Sequence, residues 1–234
     1  MGLPEKFRNH PTAVRLLPFV IFVLLTAAQG EFGAASAYWF YLAKTLAGAG
    51  MIFVLRPLIA EMRWAFSWEA VAVGVGIFFL WIGVSGEWTT QNSLWIKLGF
   101  SHPPEKFSGA WNPHEQFGNG SALAWLFIVV RILGSTFVVP PIEEVFYRSF
   151  LYRYVAQHEF LSVPLNRFFL RSFLATACIF GFSHNEWLAG ILCGAAYQWL
   201  VLRKNRLGDA MTAHAITNLL LGIWVVTRGA WQFW

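Results

Sequence analysis

The chain has 234 residues, of which 57% are hydrophobic and only 12% are charged. A water-soluble domain usually carries about 25% charged residues, so this composition excludes an ordinary soluble domain and predicts a membrane protein. The formal net charge of +5 does not indicate nucleic acid as a partner. The basic residues lie between apolar segments, where they report membrane topology instead. We therefore expect membrane lipid as a partner and no nucleic acid.

Apolar segments suitable for crossing a membrane follow one another along the chain, since a span needs about 20 mostly apolar residues. They are residues 12–29, 36–56, 69–85, 121–139, 172–183, 187–202 and 209–227. Pro140 and Pro141 are expected to end the fourth segment, and residues 142–155 predict a further, partly polar helix packed inside the bundle. The sequence thus predicts an all-α fold, a polytopic transmembrane helix bundle of about seven or eight helices.

A long hydrophilic stretch separates the third and fourth apolar segments. Residues 86–120 are rich in Pro, Gly and Asn, and a short interfacial helix is expected at about residues 94–100. We divide the chain at this stretch into residues 1–120, with transmembrane helices and the polar loop, and residues 121–234, with the candidate chemistry. Both parts are expected to belong to one integral membrane unit.

The distribution of basic residues predicts the orientation in the membrane. With the amino terminus in the cytoplasm, most basic residues fall on the inner side, and only Lys97, Lys106 and Arg228 fall outside. The positive-inside rule therefore favours a cytoplasmic amino terminus, and we expect the bacterial cytoplasmic membrane and a site that opens to the cytoplasm. Lys44 and Arg131 lie within spans, and the sequence assigns them no role.

Polar side chains at membrane depth concentrate in the second half of the chain. They are Glu143, Glu144 and Arg148 in Pro-Ile-Glu-Glu-Val-Phe-Tyr-Arg, His184 in Phe-Gly-Phe-Ser-His, and His214 and Asn218 in His-Ala-Ile-Thr-Asn. An ionisable side chain in a span costs at least about 2.5 to 3.5 kcal/mol, which makes each one a candidate for function. A single Glu-Arg pair or a lone His is more often structural, but this set together indicates a site.

Helical spacing sorts these residues by face, since positions four apart share a face and adjacent positions diverge by about 100°. Glu144 and Arg148 are therefore expected to pair, which leaves Glu143 to act on a water molecule. His214 and Asn218 also share a face, so both can offer N–H donors to a single point.

The three motifs in this order resemble the CPBP family, the membrane proteases related to type II CAAX prenyl endopeptidases and bacteriocin-processing enzymes. The family pattern is Glu-Glu-x-x-x-Arg, then Phe-x-x-x-His, then His-x-x-x-Asn, and Phe180 supplies the Phe of the second motif. The resemblance covers roughly residues 121–227. It implies a glutamate-type intramembrane peptidase acting on a peptide or protein at the membrane.

The resemblance implies that Glu143 and His184 activate water, while His214 and Asn218 would donate to the developing oxyanion. A zinc site of His184, His214 and one Glu is the alternative reading of the same residues. The chain contains no His-Glu-x-x-His, and Asn218 is a poor zinc ligand but a good oxyanion donor. We therefore expect no cofactor, with zinc as the runner-up.

Two other classes of function compete with a peptidase. A non-catalytic immunity, maturation or scaffold protein would be indicated by the loss of Glu143 or His184, and both are present. A transporter would be favoured by paired broken helices in two similar halves, which the sequence does not show. The motifs do not select the substrate: prenylated CAAX peptides are one candidate, and a peptide precursor or sorted membrane protein is another.

Overall fold

The computed structural model describes residues 7, 9–99 and 111–234, and these residues form helices with no strand beyond one isolated bridge. The prediction of an all-α protein is therefore confirmed. The helices are α1 (Pro11–Ala27), α2 (Ser36–Leu55), α3 (Trp68–Val84), α4 (Gln91–Lys97), α5 (Pro113–Phe117), α6 (122–156), α7 (Leu170–Phe182), α8 (Trp187–Lys204) and α9 (Gly208–Arg228). The predicted interfacial helix is α4, although residue 100 of that prediction lies outside the described residues.

Small hydroxyl residues begin several of these helices. Ser67, Thr90 and Ser121 precede α3, α4 and α6, and each side-chain oxygen accepts a hydrogen bond from a backbone N–H three residues later. Such caps satisfy one of the N–H groups that the first turn of a helix leaves without a partner. The helix starts are therefore encoded locally in the sequence.

The prediction that Pro140 and Pro141 separate two helices is wrong, because the chain stays helical from Ala122 to Ala156. A π-helical segment, Gly134–Val138, comes directly before the prolines, and the N–H of Val139 donates to the carbonyl of Gly134, five residues back. The wider π turn accommodates proline, which lacks an N–H and would clash with a carbonyl in a regular α turn. A second π segment follows at Val145–Leu151.

Three of the described helical segments are long and apolar enough to cross a membrane. They are Ser36–Leu58, Ala122–Ala156 and Gly208–Arg228. Helices α1, α3 and α7 are apolar but shorter. These lengths agree with a polytopic membrane protein.

The chain divides into two compact units that interleave along the sequence. Unit 1 comprises Met1–Arg63, Ala110–Phe146 and Asn218–Trp234, and unit 2 comprises Trp64–Gly109 and Tyr147–Thr217. The division predicted after residue 120 was based on where the motifs lie, and it does not coincide with the two units. It stays a prediction about which part of the chain carries the chemistry.

In unit 1, α2 packs closely against α6. A Cβ atom at Gly48 would lie 2.6 Å from Val138 Cγ1 and 2.9 Å from Ile142 Cδ1. On the other helix, a Cβ atom at Gly134 would lie 2.7 Å from Thr45 Oγ1. Small residues at such positions let two helix backbones approach, as at many helix contacts within membranes.

Arg131 of unit 1 is held in a cluster of aromatic rings, which answers the question that the sequence left open. Its Cζ atom lies 4.3 Å from the ring centroid of Trp111, 4.8 Å from that of Tyr41 and 5.3 Å from that of Trp234. A guanidinium group is attracted to the faces of aromatic rings, so this cluster compensates a charge within a span.

In unit 2, α7 and α8 form a close antiparallel pair. A Cβ atom at Gly190 would lie 2.8 Å from the Cα atom of Gly181, so the two backbones nearly touch. At the end of α8, Arg203 Nε lies 2.7 Å from Glu69 Oε1 of α3, and Lys204 also pairs with Glu69. The basic end of α8 is therefore anchored to the start of α3.

Candidate active site

Three of the predicted site residues meet in unit 2 around the ring of Phe180. The Arg148 Cζ atom lies 4.4 Å from the Phe180 centroid, and the His184 and His214 rings lie 4.6 and 6.2 Å from it. Phe180 is only 1% exposed. The Phe of the second motif is therefore the contact that Arg148, His184 and His214 share.

Arg148 is completely buried, and its side chain contacts α8. Its Nη2 atom donates a hydrogen bond to the carbonyl of Gly194 at 3.2 Å. The predicted partner Glu144 is also completely buried. Their pairing stays a prediction, but a buried charge of this kind requires compensation.

His184 lies just past the end of α7, and its ring orientation follows from one hydrogen bond. Its Nδ1 atom lies 2.7 Å from the carbonyl oxygen of Phe180. Because a carbonyl oxygen only accepts hydrogen bonds, Nδ1 must carry the proton and donate. In the neutral imidazole, Nε2 then holds the lone pair, which makes it the nitrogen that can take a proton from water.

The turn that carries His184 is tied to the hydrophilic segment of the chain. Gln91 at the start of α4 donates from Nε2 to the carbonyl oxygens of Phe182 at 2.7 Å and His184 at 2.9 Å. Its backbone N–H donates to the carbonyl of Asn185 at 2.9 Å. One residue of the first half of the chain thus holds three carbonyls at the end of α7.

The position of His184 along α3 can be compared with the side on which the sequence predicts the site to open. Trp81, near the end of α3, contacts the His184 ring at 5.5 Å, whereas Glu69 at the start of α3 pairs with Arg203. His184 therefore lies near the end of α3 that is opposite to the Glu69 pairing with Arg203 and Lys204. The sequence, in contrast, predicts that the site opens on the side of the basic residues. The direction of the opening stays a prediction.

A further carboxylate, which the sequence analysis did not select, lies beside His184. Burial raises the pKa of the Glu186 carboxyl group, and a 3.1 Å hydrogen bond from Asn185 Nδ2 opposes that shift. The turn between α7 and α8 therefore adds an acidic group to the surroundings of His184.

His214 is held on α9 by a stacked tyrosine and a hydroxyl chain. The Tyr197 ring stacks on the His214 ring with centroids 5.2 Å apart, and the Tyr197 hydroxyl donates to Thr217 Oγ1 at 2.7 Å. Thr217 Oγ1 in turn lies 2.9 Å from the Gly74 carbonyl of α3. A Cβ atom at Gly74 would lie 2.7 Å from the Ala213 carbonyl, so α3 and α9 pack closely beside His214.

Unit 1 holds the other three predicted site residues: Glu143, Glu144 and Asn218. Among the described residues, the buried Oε2 atom of Glu143 has no hydrogen-bond partner. Lys44 of α2 interacts electrostatically with Glu143, and its Nζ atom donates to Thr26 Oγ1 at 3.0 Å. The buried cation that the sequence left unassigned therefore lies within electrostatic range of the predicted base.

Asn218 is attached to the π segment of α6. Its Nδ2 atom donates to the carbonyl oxygen of Ser135 at 2.8 Å. In π geometry this carbonyl would accept from the residue five positions on, which is Pro140 and has no N–H. The amide nitrogen carries two N–H groups, so one remains to donate elsewhere.

Sequence reasoning missed the residues that hold the predicted ones in place. Gln91 and Ser135 contact the motif residues through backbone carbonyls, and no periodicity or spacing reveals such contacts.

The described residues contain no group of three or more His, Cys, Asp and Glu side chains placed to hold a metal ion. The zinc site of His184, His214 and a Glu is thus not evident in that part of the chain. The metal-free reading nevertheless remains a prediction, to be decided by measuring the zinc content.

A comparison with known protein families gives a match over much of the second half of the chain. Residues 123–220 match the family model of the Type II CAAX prenyl endopeptidase Rce1-like proteins. The match confirms the predicted resemblance to the CPBP family of CAAX proteases and, at the family level, indicates a membrane protease. No curated protein and no solved structure matches the chain.

Proposed function

We propose that this protein is an intramembrane endopeptidase that hydrolyses a peptide bond of a membrane-associated peptide or protein without a metal ion. Glu143 and His184 activate the attacking water, and His214 and Asn218 stabilise the oxyanion. Glu144 and Arg148 form the supporting ion pair. The proposed setting is the bacterial cytoplasmic membrane with a cytoplasmic amino terminus.

The observation that carries the proposal is the hydrogen bond between His184 Nδ1 and the Phe180 carbonyl, which sets the tautomer of the ring. Its Nδ1–H donates to the Phe180 carbonyl, so Nε2 is the proton acceptor of the neutral ring. A general base needs such an unprotonated atom within reach of its water. The family match to membrane proteases and the buried Oε2 atom of Glu143 support the same chemistry.

The proposed reaction conserves atoms and charge. The water gives one proton to the Glu143 and His184 pair while its oxygen bonds to the scissile carbonyl carbon. The carbonyl oxygen becomes an oxyanion and accepts N–H hydrogen bonds from His214 and Asn218. The tetrahedral intermediate then collapses, the C–N bond breaks, and the stored proton passes to the leaving amine.

The experiment compares membrane fractions from cells that make the native protein or Glu143→Gln. New amino termini of membrane proteins, mapped by mass spectrometry, should appear with the native protein and be absent with Glu143→Gln. Glu159→Gln is the matched control, because Glu159 is an exposed carboxylate outside the motifs. Identical termini in all three samples would sink the proposal and favour a scaffold or immunity role.

A kinetic comparison tests whether the two activating residues act as a unit. Groups that act together in one step give non-additive losses when both are removed. Glu143→Gln combined with His184→Ala should therefore cleave no more slowly than the slower single variant. Losses that multiply would contradict joint activation of one water.

A further inference from the structure

Two hydroxyl groups of unit 2 form a chain that ends at the His184 ring. The Tyr147 hydroxyl donates to Ser183 Oγ at 3.1 Å, and Ser183 Oγ donates to the Phe180 carbonyl at 2.7 Å. Ser183 Oγ also lies 3.2 Å from His184 Nδ1. Tyr147 and Ser183 belong to none of the roles assigned above.

The directions of these hydrogen bonds are set by their acceptors. The Phe180 carbonyl accepts from the Ser183 hydroxyl and from His184 Nδ1, each at 2.7 Å, and more weakly from the Ser183 backbone N–H at 3.3 Å. Ser183 has a single proton, so once that proton points at Phe180 its oxygen can only accept. It then accepts from Tyr147 and faces His184 Nδ1–H as a second acceptor.

The Tyr147 hydroxyl has a specific consequence in this network. Without it, Ser183 is free to turn its proton toward His184 Nδ1, which would compete with the hydrogen bond from Nδ1 to the Phe180 carbonyl and shift part of the population to the tautomer with the proton on Nε2. That tautomer has no lone pair on Nε2 and cannot take a proton from water there. The Tyr147 ring is 1% exposed and packs edge-on against Phe180 at 5.0 Å, so its hydroxyl is fixed in position.

We propose that Tyr147, acting through Ser183, is a positioning residue that keeps His184 in the Nδ1–H tautomer with Nε2 as the proton acceptor. The inference rests on the proposed function for its meaning in catalysis. The hydrogen-bond network and the tautomer can be tested without any substrate.

The first test is ¹⁵N NMR of the protein labelled at histidine, with the His184 signals assigned by their loss in His184→Ala. The native protein should show the proton on Nδ1, and Tyr147→Phe should show a mixture of tautomers. Tyr152→Phe is the matched control, because Tyr152 is a buried tyrosine of the same helix whose hydroxyl donates to the Arg167 carbonyl. It should lose stability but leave the His184 signals unchanged.

The second test is the cleavage rate of the substrate found by the Glu143→Gln comparison. Tyr147→Phe should lower kcat by about tenfold with KM unchanged, part of the roughly 100- to 10,000-fold that a general base contributes. Ser183→Ala has no proton to turn toward His184 Nδ1, so it should lower kcat less than Tyr147→Phe does. The double variant should be no slower than Ser183→Ala, since Tyr147 acts through Ser183. Ser183→Thr keeps the hydroxyl and should restore the rate.

An unchanged His184 tautomer in Tyr147→Phe would overturn the inference, whether or not that variant cleaves more slowly. Failure of the proposed function is a separate result: Glu143→Gln would retain cleavage whatever the NMR spectra show. The two failures therefore cannot be confused.

Discussion

The side-chain amide of Asn218 donates a 2.8 Å hydrogen bond to the backbone oxygen of Ser135, a carbonyl that Pro140 leaves without its π-helical donor. Pro140, one of the two prolines that were expected to break α6, instead leaves the Ser135 carbonyl available as the acceptor that orients Asn218. A residue of the third motif is therefore positioned by the residues that precede the first motif.

Pro140→Ala should disturb Asn218 while preserving the fold. The new N–H at position 140 competes for the Ser135 carbonyl, so Asn218 loses its anchor and cleavage should slow by about 10- to 100-fold, as small misplacements in active sites do. The thermal midpoint should hold, because the new N–H replaces Asn218 as the donor to the Ser135 carbonyl. Pro141→Ala serves as the control, because its new N–H would face the carbonyl of Thr136 and would not compete for the Ser135 carbonyl. Full activity of Pro140→Ala would refute the positioning role.

Asn218→Ala should lose both activity and stability, for separable reasons. Cleavage should slow by about 100- to 1000-fold through loss of an oxyanion donor. The unfolding free energy should fall by about 1–3 kcal/mol, because the Ser135 carbonyl loses its partner. In a Pro140→Ala background the new N–H should restore the stability, measured by thermal unfolding in detergent, but not the activity. Recovery of both would mean that Asn218 is only structural.

Glu144→Gln and Arg148→Ala should each lower activity and thermal stability together. Both residues are completely buried, and removing one partner of a buried ion pair typically costs about 3–5 kcal/mol. Glu69→Gln provides the comparison, because the Arg203 side chain that it contacts is 57% exposed and such surface pairs contribute about 0–1 kcal/mol. Loss of activity with an unchanged thermal midpoint would argue against a supporting ion pair.

The purified protein should contain well below one zinc ion per chain and keep its activity after treatment with a chelator. In the zinc alternative, the ion bound by His184, His214 and a glutamate would lower the pKa of its water to about 7, and Asn218 would be peripheral. Elemental analysis of the detergent-purified chain decides between them. Stoichiometric zinc, with activity lost on chelation and regained on adding metal, would establish the metal mechanism.

The sequence predicted the helices well because apolar length and hydroxyl caps are local properties. It selected the motif residues because ionisable groups are costly at membrane depth, and their roles in catalysis stay predictions. It failed at Pro140, where the rule for a regular α turn does not apply to a π turn. It also could not predict that Phe180 is the common contact of Arg148, His184 and His214, since side-chain packing between distant helices leaves no periodic trace.

Gln91 gives the amino-terminal half of the chain an unexpected importance. The family match begins at residue 123, yet the backbone around His184 is held by Gln91, and the His184 ring packs against Trp81. A fragment restricted to the matched residues would carry every motif but lack both supports. Grafting the recognisable segment onto another membrane protein should therefore transfer the signature without the activity, and comparisons among relatives should weigh position 91 beside the motifs.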